Sequence, residues 1–157
     1  MIRPPAGNKR TRLASDDELK LLASKADPDI WRVITVALMT SLREGMILSM
    51  ESSWLTKLED GWWAMLPPPK SQSKLHPMRL PLNTLAVQAI LGDHPAIGRI
   101  FSRWKSTACF TQAFHYTCKK LGIVDLHFHD LRHNSLSWME GLAVPYATIQ
   151  LLGGHRR

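Results

Sequence analysis

The stretch "HFHDLRHN", residues 127–134, sets His127, His129, Asp130, Arg132 and His133 within seven positions, just ahead of an apolar-periodic run. Those residue types suit two chemistries. A guanidinium offers a planar fork of donors that fits the oxygens of a phosphate, and an imidazole beside it can donate a hydrogen bond or move a proton near neutral pH. His129 and Arg132 are three apart, so one helical turn projects both from the same face. Alternatively, His129 and His133, at i and i+4, could share a metal ion with His127 and Cys118. That second reading lacks the usual company, since the chain has neither an H-E-x-x-H segment nor a Cys-x-x-Cys pair. Taken alone, H-x-x-R is common by chance and equally describes the polar first turn of a helix.

Other basic residues bear on the choice. Arg43 follows an apolar helix within "TSLREGM", "TIQLLGGH" ends at His155, and Lys70 and Lys74 flank the polar tip of "PPPKSQSKLHPMRLPL". Together they resemble the catalytic domain of the tyrosine recombinases, the phage integrase family. Members of that family carry H-D-L-R-H-T, then T-I/V-Q-x-L-L-G-H, and earlier T-G-L-R-x-G-E. Here His129 and His155 are 155 − 129 = 26 apart, with Thr148, Ile149 and Gln150 in register. Thr40, Leu42, Arg43 and Gly45 match the earlier motif, while Ser41 and Met46 stand where the family has Gly and Glu. The resemblance spans roughly residues 12–157.

It implies site-specific DNA recombination or integration by transesterification of a phosphodiester through a 3′-phosphotyrosyl intermediate, without a cofactor or metal. Arg43, Arg132 and His155 would hold the non-bridging oxygens where negative charge develops. Lys74, with Lys70 as the alternative, would protonate the leaving 5′ oxygen, and His129 would assist proton transfer. His133 would support the helix or contact a phosphate. The implied partner is double-stranded DNA at a specific site, with a homotetramer on DNA in the full-length form.

The family's nucleophile is a tyrosine a short way past the position of His155. Only Tyr116 and Tyr146 occur here, neither in that slot, and both are expected as packing residues. The expectation is therefore a catalytic domain over residues 13–157, truncated before its nucleophile and inactive alone, without the family's N-terminal DNA-clamping domain. The alternatives are a non-catalytic DNA-binding or regulatory remnant of an integrase and, more remotely, a His-rich metal-binding protein.

Composition agrees with a polyanionic partner. The 157 residues carry 20 Lys and Arg against 13 Asp and Glu, for a net charge of +7. A hydrophobic content of 45% is that of one globular domain, and no run is long enough to cross a membrane, which points to the cytoplasm. Cys109 and Cys118 suit a reducing compartment and read as core thiols. Residues 1–12, "MIRPPAGNKRTR", read as a basic flexible arm or linker whose Lys9, Arg10 and Arg12 contact DNA backbone.

The elements that must position these groups follow from periodicity and caps. Ser15 and Glu18 form a capping box for a first helix, and Pro28 opens a second, "PDIWRVITVALMTSL", apolar nearly all round. A turn and a short helix follow Arg43. Three short antiparallel strands are predicted around an Asp60-Gly61 turn and "PMRLPL", with Pro67–Pro69 and Pro81 placing the last strands at edges. Further helices start at Asn83, at Ser106 with a stop at Gly122, within "DLRHNSLSWMEGL", and at Pro145. The tryptophans read as core, except the outward member of the Trp62 and Trp63 pair. The fold class is α+β, mostly α: a helical catalytic domain of the recombinase type with a small three-stranded antiparallel sheet.

Overall fold

The computed structural model describes residues 10–68, 77–92 and 97–142. Lys9, Lys70, Lys74, Tyr146, His155 and the helix expected from Pro145 lie outside the described residues.

Helix α1 (Asp16–Lys25) begins at the predicted capping box: Ser15 Oγ accepts from the Glu18 amide, and Glu18 answers by accepting from the Ser15 amide. Helix α2 (Pro28–Thr40) is the central post. Its buried Ile30, Val33, Ile34, Val36, Ala37 and Leu38 cover most of its circumference, as expected of a helix with neighbours on several sides. Those neighbours are α3 (Glu44–Leu48), α4 (Thr84–Leu91), α5 (Thr107–Lys120) and α6 (Phe128–Gly141). Asn83 and Ser106 cap α4 and α5 as predicted. Gly122, at φ 72, closes α5 with the Ile123 amide bonded back to the Cys118 carbonyl, an arrangement that needs the left-handed backbone glycine adopts at little cost.

Strands β1 (Leu55–Leu58), β2 (Gly61–Leu66) and β3 (Met78–Leu82) make one antiparallel sheet in the order β1-β2-β3. Pro81 sits on an edge strand, as its missing N–H requires. The proline run at Pro67, by contrast, ends the central strand rather than marking an edge. Pairing of Leu58 with Gly61 makes Glu59-Asp60 the hairpin loop, and Gly61 is already in the strand at φ 127.

An aromatic cluster joins α5 to the start of α6. Phe128 meets Phe110 and Phe114 edge-on at 5.0 and 5.5 Å between ring centroids, and Trp104 packs edge-on against Phe110 at 5.3 Å. Each such pair adds about 0.5–1.5 kcal/mol beyond the area it buries. Its structural consequence is that the first residue of α6 is fixed from the apolar side.

Several burial expectations are corrected. Cys118 is buried but Cys109 is exposed, because it faces outward in the first turn of α5 beside its Ser106 cap. Tyr116 is 70% exposed rather than packed. Both Trp62 and Trp63 are half-buried, the Trp63 indole donating to Asp60 at 2.9 Å, and the more exposed tryptophan is Trp138.

Helices α2 and α6 are also joined by a polar contact. Ser41, the residue that replaces the family's glycine, ends α2 in the left-handed conformation (φ 60, ψ 14) and is fully buried, with its hydroxyl 2.7 Å from that of Ser135. A non-glycine residue there carries strain of about 1–2 kcal/mol, partly offset by the buried hydrogen bond. Ser41→Ala should therefore destabilise the fold by about 1–3 kcal/mol by orphaning Ser135 while retaining the strain. Ser41→Gly should cost about 1 kcal/mol less than Ser41→Ala. Chemical denaturation of both variants checks the order.

Candidate functional site

Helix α6 presents the "HFHDLRHN" residues, and its start is set from two sides. His127, extended at φ −101, precedes the helix, and its amide donates to Asp130 Oδ2 at 2.9 Å. Asp130 is thus the third residue of α6 closing back on the helix start, where a carboxylate also favours the positive end of the helix dipole. Its side chain is wholly buried and receives a fork from Arg10, with Nε 3.1 Å from Oδ1 and Nη2 2.8 Å from Oδ2. Burial alone would push the carboxyl upward, but the bonds from Arg10 and the His127 amide outweigh it and hold Asp130 below the ordinary aspartate range. One turn further on, the Asn134 side chain takes both backbone groups of Ala14, accepting from its amide and donating to its carbonyl, each at 2.9 Å.

This corrects the picture of a free arm through residue 12. Arg10 is engaged by Asp130 and Asp125, and Arg12 forks Glu18 at 2.6 and 3.1 Å while donating to the Val124 and Asp125 carbonyls. Arg10 is thus taken up by carboxylates more than a hundred positions away in sequence, and Arg12 by Glu18 six positions on together with two distant carbonyls, so these cations are engaged where charge counting alone assigned them to DNA.

The other face of the same turn carries the candidate chemistry. Arg132 is buried, 4% exposed, whereas His129, on the turn before it, is exposed. Desolvation, with the positive charge of Arg43 added to it, pushes the Arg132 guanidinium down to about 10. It remains fully charged at neutral pH, so the site holds a cation that burial and a second cation both disfavour. Arg43 is reached by the turn after Ser41 and Leu42 and begins α3 from an extended backbone (φ −73, ψ 150). Its side chain is exposed rather than turned inward, which puts it at the open side of the site.

The His129 ring meets the His133 ring edge-on at 5.1 Å. Desolvation first, then the charges of His133, Arg132 and Arg43, lower His129 below the ordinary histidine value, which favours the neutral imidazole. His133 is half-buried, and its Nδ1 has no hydrogen-bond partner among the described residues. The structure therefore brings Arg43, His129, Arg132 and His133 together. No three His, Cys, Asp or Glu side chains gather to hold a metal among the described residues, so the grouping of His127, His129, His133 and Cys118 does not form.

Sequence reasoning gave Asp130 no role, although an aspartate three positions after the residue that precedes a helix is a recognisable closing signal. Arg10 carried no comparable signal for its pairing with Asp130.

This arrangement of helices and sheet is the fold of the tyrosine-recombinase catalytic domain. The chain belongs to the phage integrase family, whose sequence model matches residues 12–157. It is 27% identical to the integrase of Salmonella phage P22 over 167 aligned residues, covering 96% of this chain and 42% of that protein. Superposition on the lambda integrase catalytic core gives a TM-score of 0.67 at 22% identity, covering 94% of this chain and 93% of the other. The Tn1549 transposon integrase, solved in complex with circular intermediate DNA, gives 0.68 at 14% identity, covering 98% of this chain and 60% of that one. The chain thus spans less than half the length of the phage P22 relative.

Because the Asp130 pKa lies below its unfolded value near ~4, its contribution to stability is complete above about pH 4 and is lost as pH falls through the native value. Wild type should lose stability steeply below about pH 4, with Glu18 and Asp27, also lowered, adding to the slope. Asp130→Asn should lower stability at neutral pH by about 1–3 kcal/mol and flatten that acid limb. Urea midpoints from pH 7 down to about pH 3 read both effects.

Proposed function

We propose that this chain is the phosphate-gripping part of a site-specific DNA recombinase, and that it acts on double-stranded DNA by breaking and rejoining a phosphodiester. The observation that carries the reading is the buried Arg132 guanidinium held beside the cationic Arg43 and the neutral His129, on the fold of this family. Two cations that disfavour one another become favourable as soon as an anion sits between them, and a phosphodiester supplies that anion.

In the transition state negative charge accumulates on the non-bridging oxygens. Arg132, with its fork already fixed by burial, and Arg43, from the open side, oppose that charge, and His155 is the third donor of the resemblance. A neutral His129 both donates and accepts hydrogen bonds, so it can orient the phosphate and pass a proton without adding further repulsion. A nucleophilic oxygen bonds to phosphorus as the bond to the 5′ oxygen breaks, and Lys74, or Lys70, gives that leaving oxygen its proton. The nucleophile in this family is a tyrosine past the position of His155. Neither Tyr116 on α5 nor Tyr146 matches that slot.

DNA as partner is supported by the net charge of +7 and by the DNA-bound state of the Tn1549 relative. A tetramer on a specific site and action in the cytoplasm extend the same reading. No described helix is long and apolar enough to cross a membrane.

Arg132→Ala should weaken duplex binding by about 1–3 kcal/mol and reduce the slope of log K against log salt by about 1, as expected for one lost phosphate contact. Arg132→Lys should keep most of the slope but lose affinity, because an ammonium cannot fork two oxygens. Fluorescence anisotropy across a salt series distinguishes these outcomes, and an unchanged slope and affinity in Arg132→Ala would remove Arg132 from the phosphate.

A further inference from the structure

Residues 10, 12 and 14 all turn toward α6 or the loop before it, as alternate residues of an extended segment do. Arg10 forks Asp130 and donates to the Asp125 carbonyl at 2.9 Å. Arg12 joins the Val124 and Asp125 carbonyls to the Glu18 capping box of α1. Ala14 is held by Asn134 through both of its backbone groups. The segment is a strap laid over the start of the helix that bears the site.

We propose that Arg10 is a positioning residue for the phosphate site: by holding the buried Asp130, it sets the turn of α6 that presents His129 and Arg132, and so couples the chain ahead of α1 to the site. The proposal rests on Arg132 being the phosphate-gripping group. Asp130 lies between His129 and Arg132 on one turn, is wholly buried, and is tied at one end to the His127 amide. Without Arg10 it would be a buried carboxylate with a single backbone donor. Such a group takes up a proton or swings toward water, and either change tilts the turn that carries His129 and Arg132. A misplacement of about 1 Å in a positioned group is enough to change how well it meets its target. Arg10 is itself at the surface, so its replacement leaves the apolar core untouched.

The rival role for Arg10 is a direct contact with DNA, and the two roles differ in sign at Asp130. Removing Arg10 takes a positive charge from the protein, whereas Asp130→Asn takes away a negative one, so simple attraction to DNA moves the two variants in opposite directions. Positioning moves them together.

The test titrates wild type, Arg10→Ala, Arg10→Lys, Asp130→Asn, the Arg10→Ala/Asp130→Asn double variant and Arg132→Ala with a mixed-sequence DNA duplex across a salt series. Each is held at a temperature where circular dichroism shows it folded, and the Arg132 Nε–Hε resonance is followed by NMR. Arg10→Ala and Asp130→Asn should each weaken binding about threefold to tenfold, and the double variant should be no worse than either. The Arg132 resonance should move in both, and Arg10→Lys should restore only part of the loss, since a lysine cannot fork the carboxylate.

Weaker binding in Arg10→Ala beside unchanged or tighter binding in Asp130→Asn means that Arg10 meets DNA itself and overturns the proposal, as does an unmoved Arg132 resonance. If Asp130→Asn fails to fold, the resonance in Arg10→Ala and Arg10→Lys decides alone. An Arg132→Ala variant that binds like wild type sinks the phosphate reading and the proposal with it. A weakened Arg132→Ala beside an unaffected Arg10→Ala sinks the proposal only.

Discussion

Asp130 is a carboxylate with no exposed surface, and its charge is tolerable only because Arg10 and the His127 amide surround it. A buried carboxylate without such partners would cost several kcal/mol or give up its charge. Much else follows from this requirement. It ties residue 10 to residue 130 and closes the start of α6, and so holds the turn on which His129 is exposed and Arg132 is buried. The neighbouring contacts reinforce the same register: Asn134 to Ala14, Ser135 to Ser41, and Phe128 to the α5 aromatics. Polar bonds hold α6 along one side, the aromatic cluster holds it from another, and the site occupies what remains.

That site is electrostatically uncomfortable by construction. Arg132 is desolvated and repelled by Arg43, and His129 is held below the ordinary histidine value by partial desolvation and by three nearby basic groups. The penalty is tolerated because α6 is anchored along several sides, and in the proposed function a phosphate between the two cations would relieve it. Met46 contributes to the imbalance, for it packs against the core where the family pattern has a carboxylate. The nearby Glu44 is committed elsewhere, accepting from Thr111 of α5 at 2.6 Å. It joins the first turn of α3 to α5.

The departure at Ser41 shows how one position can change its means and keep its geometry. A glycine would take the left-handed backbone there without strain. Serine takes it too, and recovers part of the cost through a buried hydroxyl pair with α6.

Local rules determined much of the molecule from the sequence alone. Caps at Ser15, Asn83 and Ser106, the proline opening α2, the glycine closing α5 and the alternation around Asp60-Gly61 are interactions between residues a few positions apart, so their signal is written locally. The H-x-x-R spacing likewise places His129 and Arg132 on the same face of one helical turn. Tertiary structure alone decided which cations are engaged by distant parts of the chain. Arg10 and Arg12 look the same as Arg43 in a charge count, but Arg10 meets the Asp130 carboxylate and Arg12 the Val124 and Asp125 carbonyls, all more than a hundred positions away. It also decided that β2 is the central strand, that Tyr116 and Cys109 face water, and that Asp130 is a buried anchor. Each of these depends on which segments meet in space, and long-range electrostatic pairing leaves no periodicity in the sequence from which to read it.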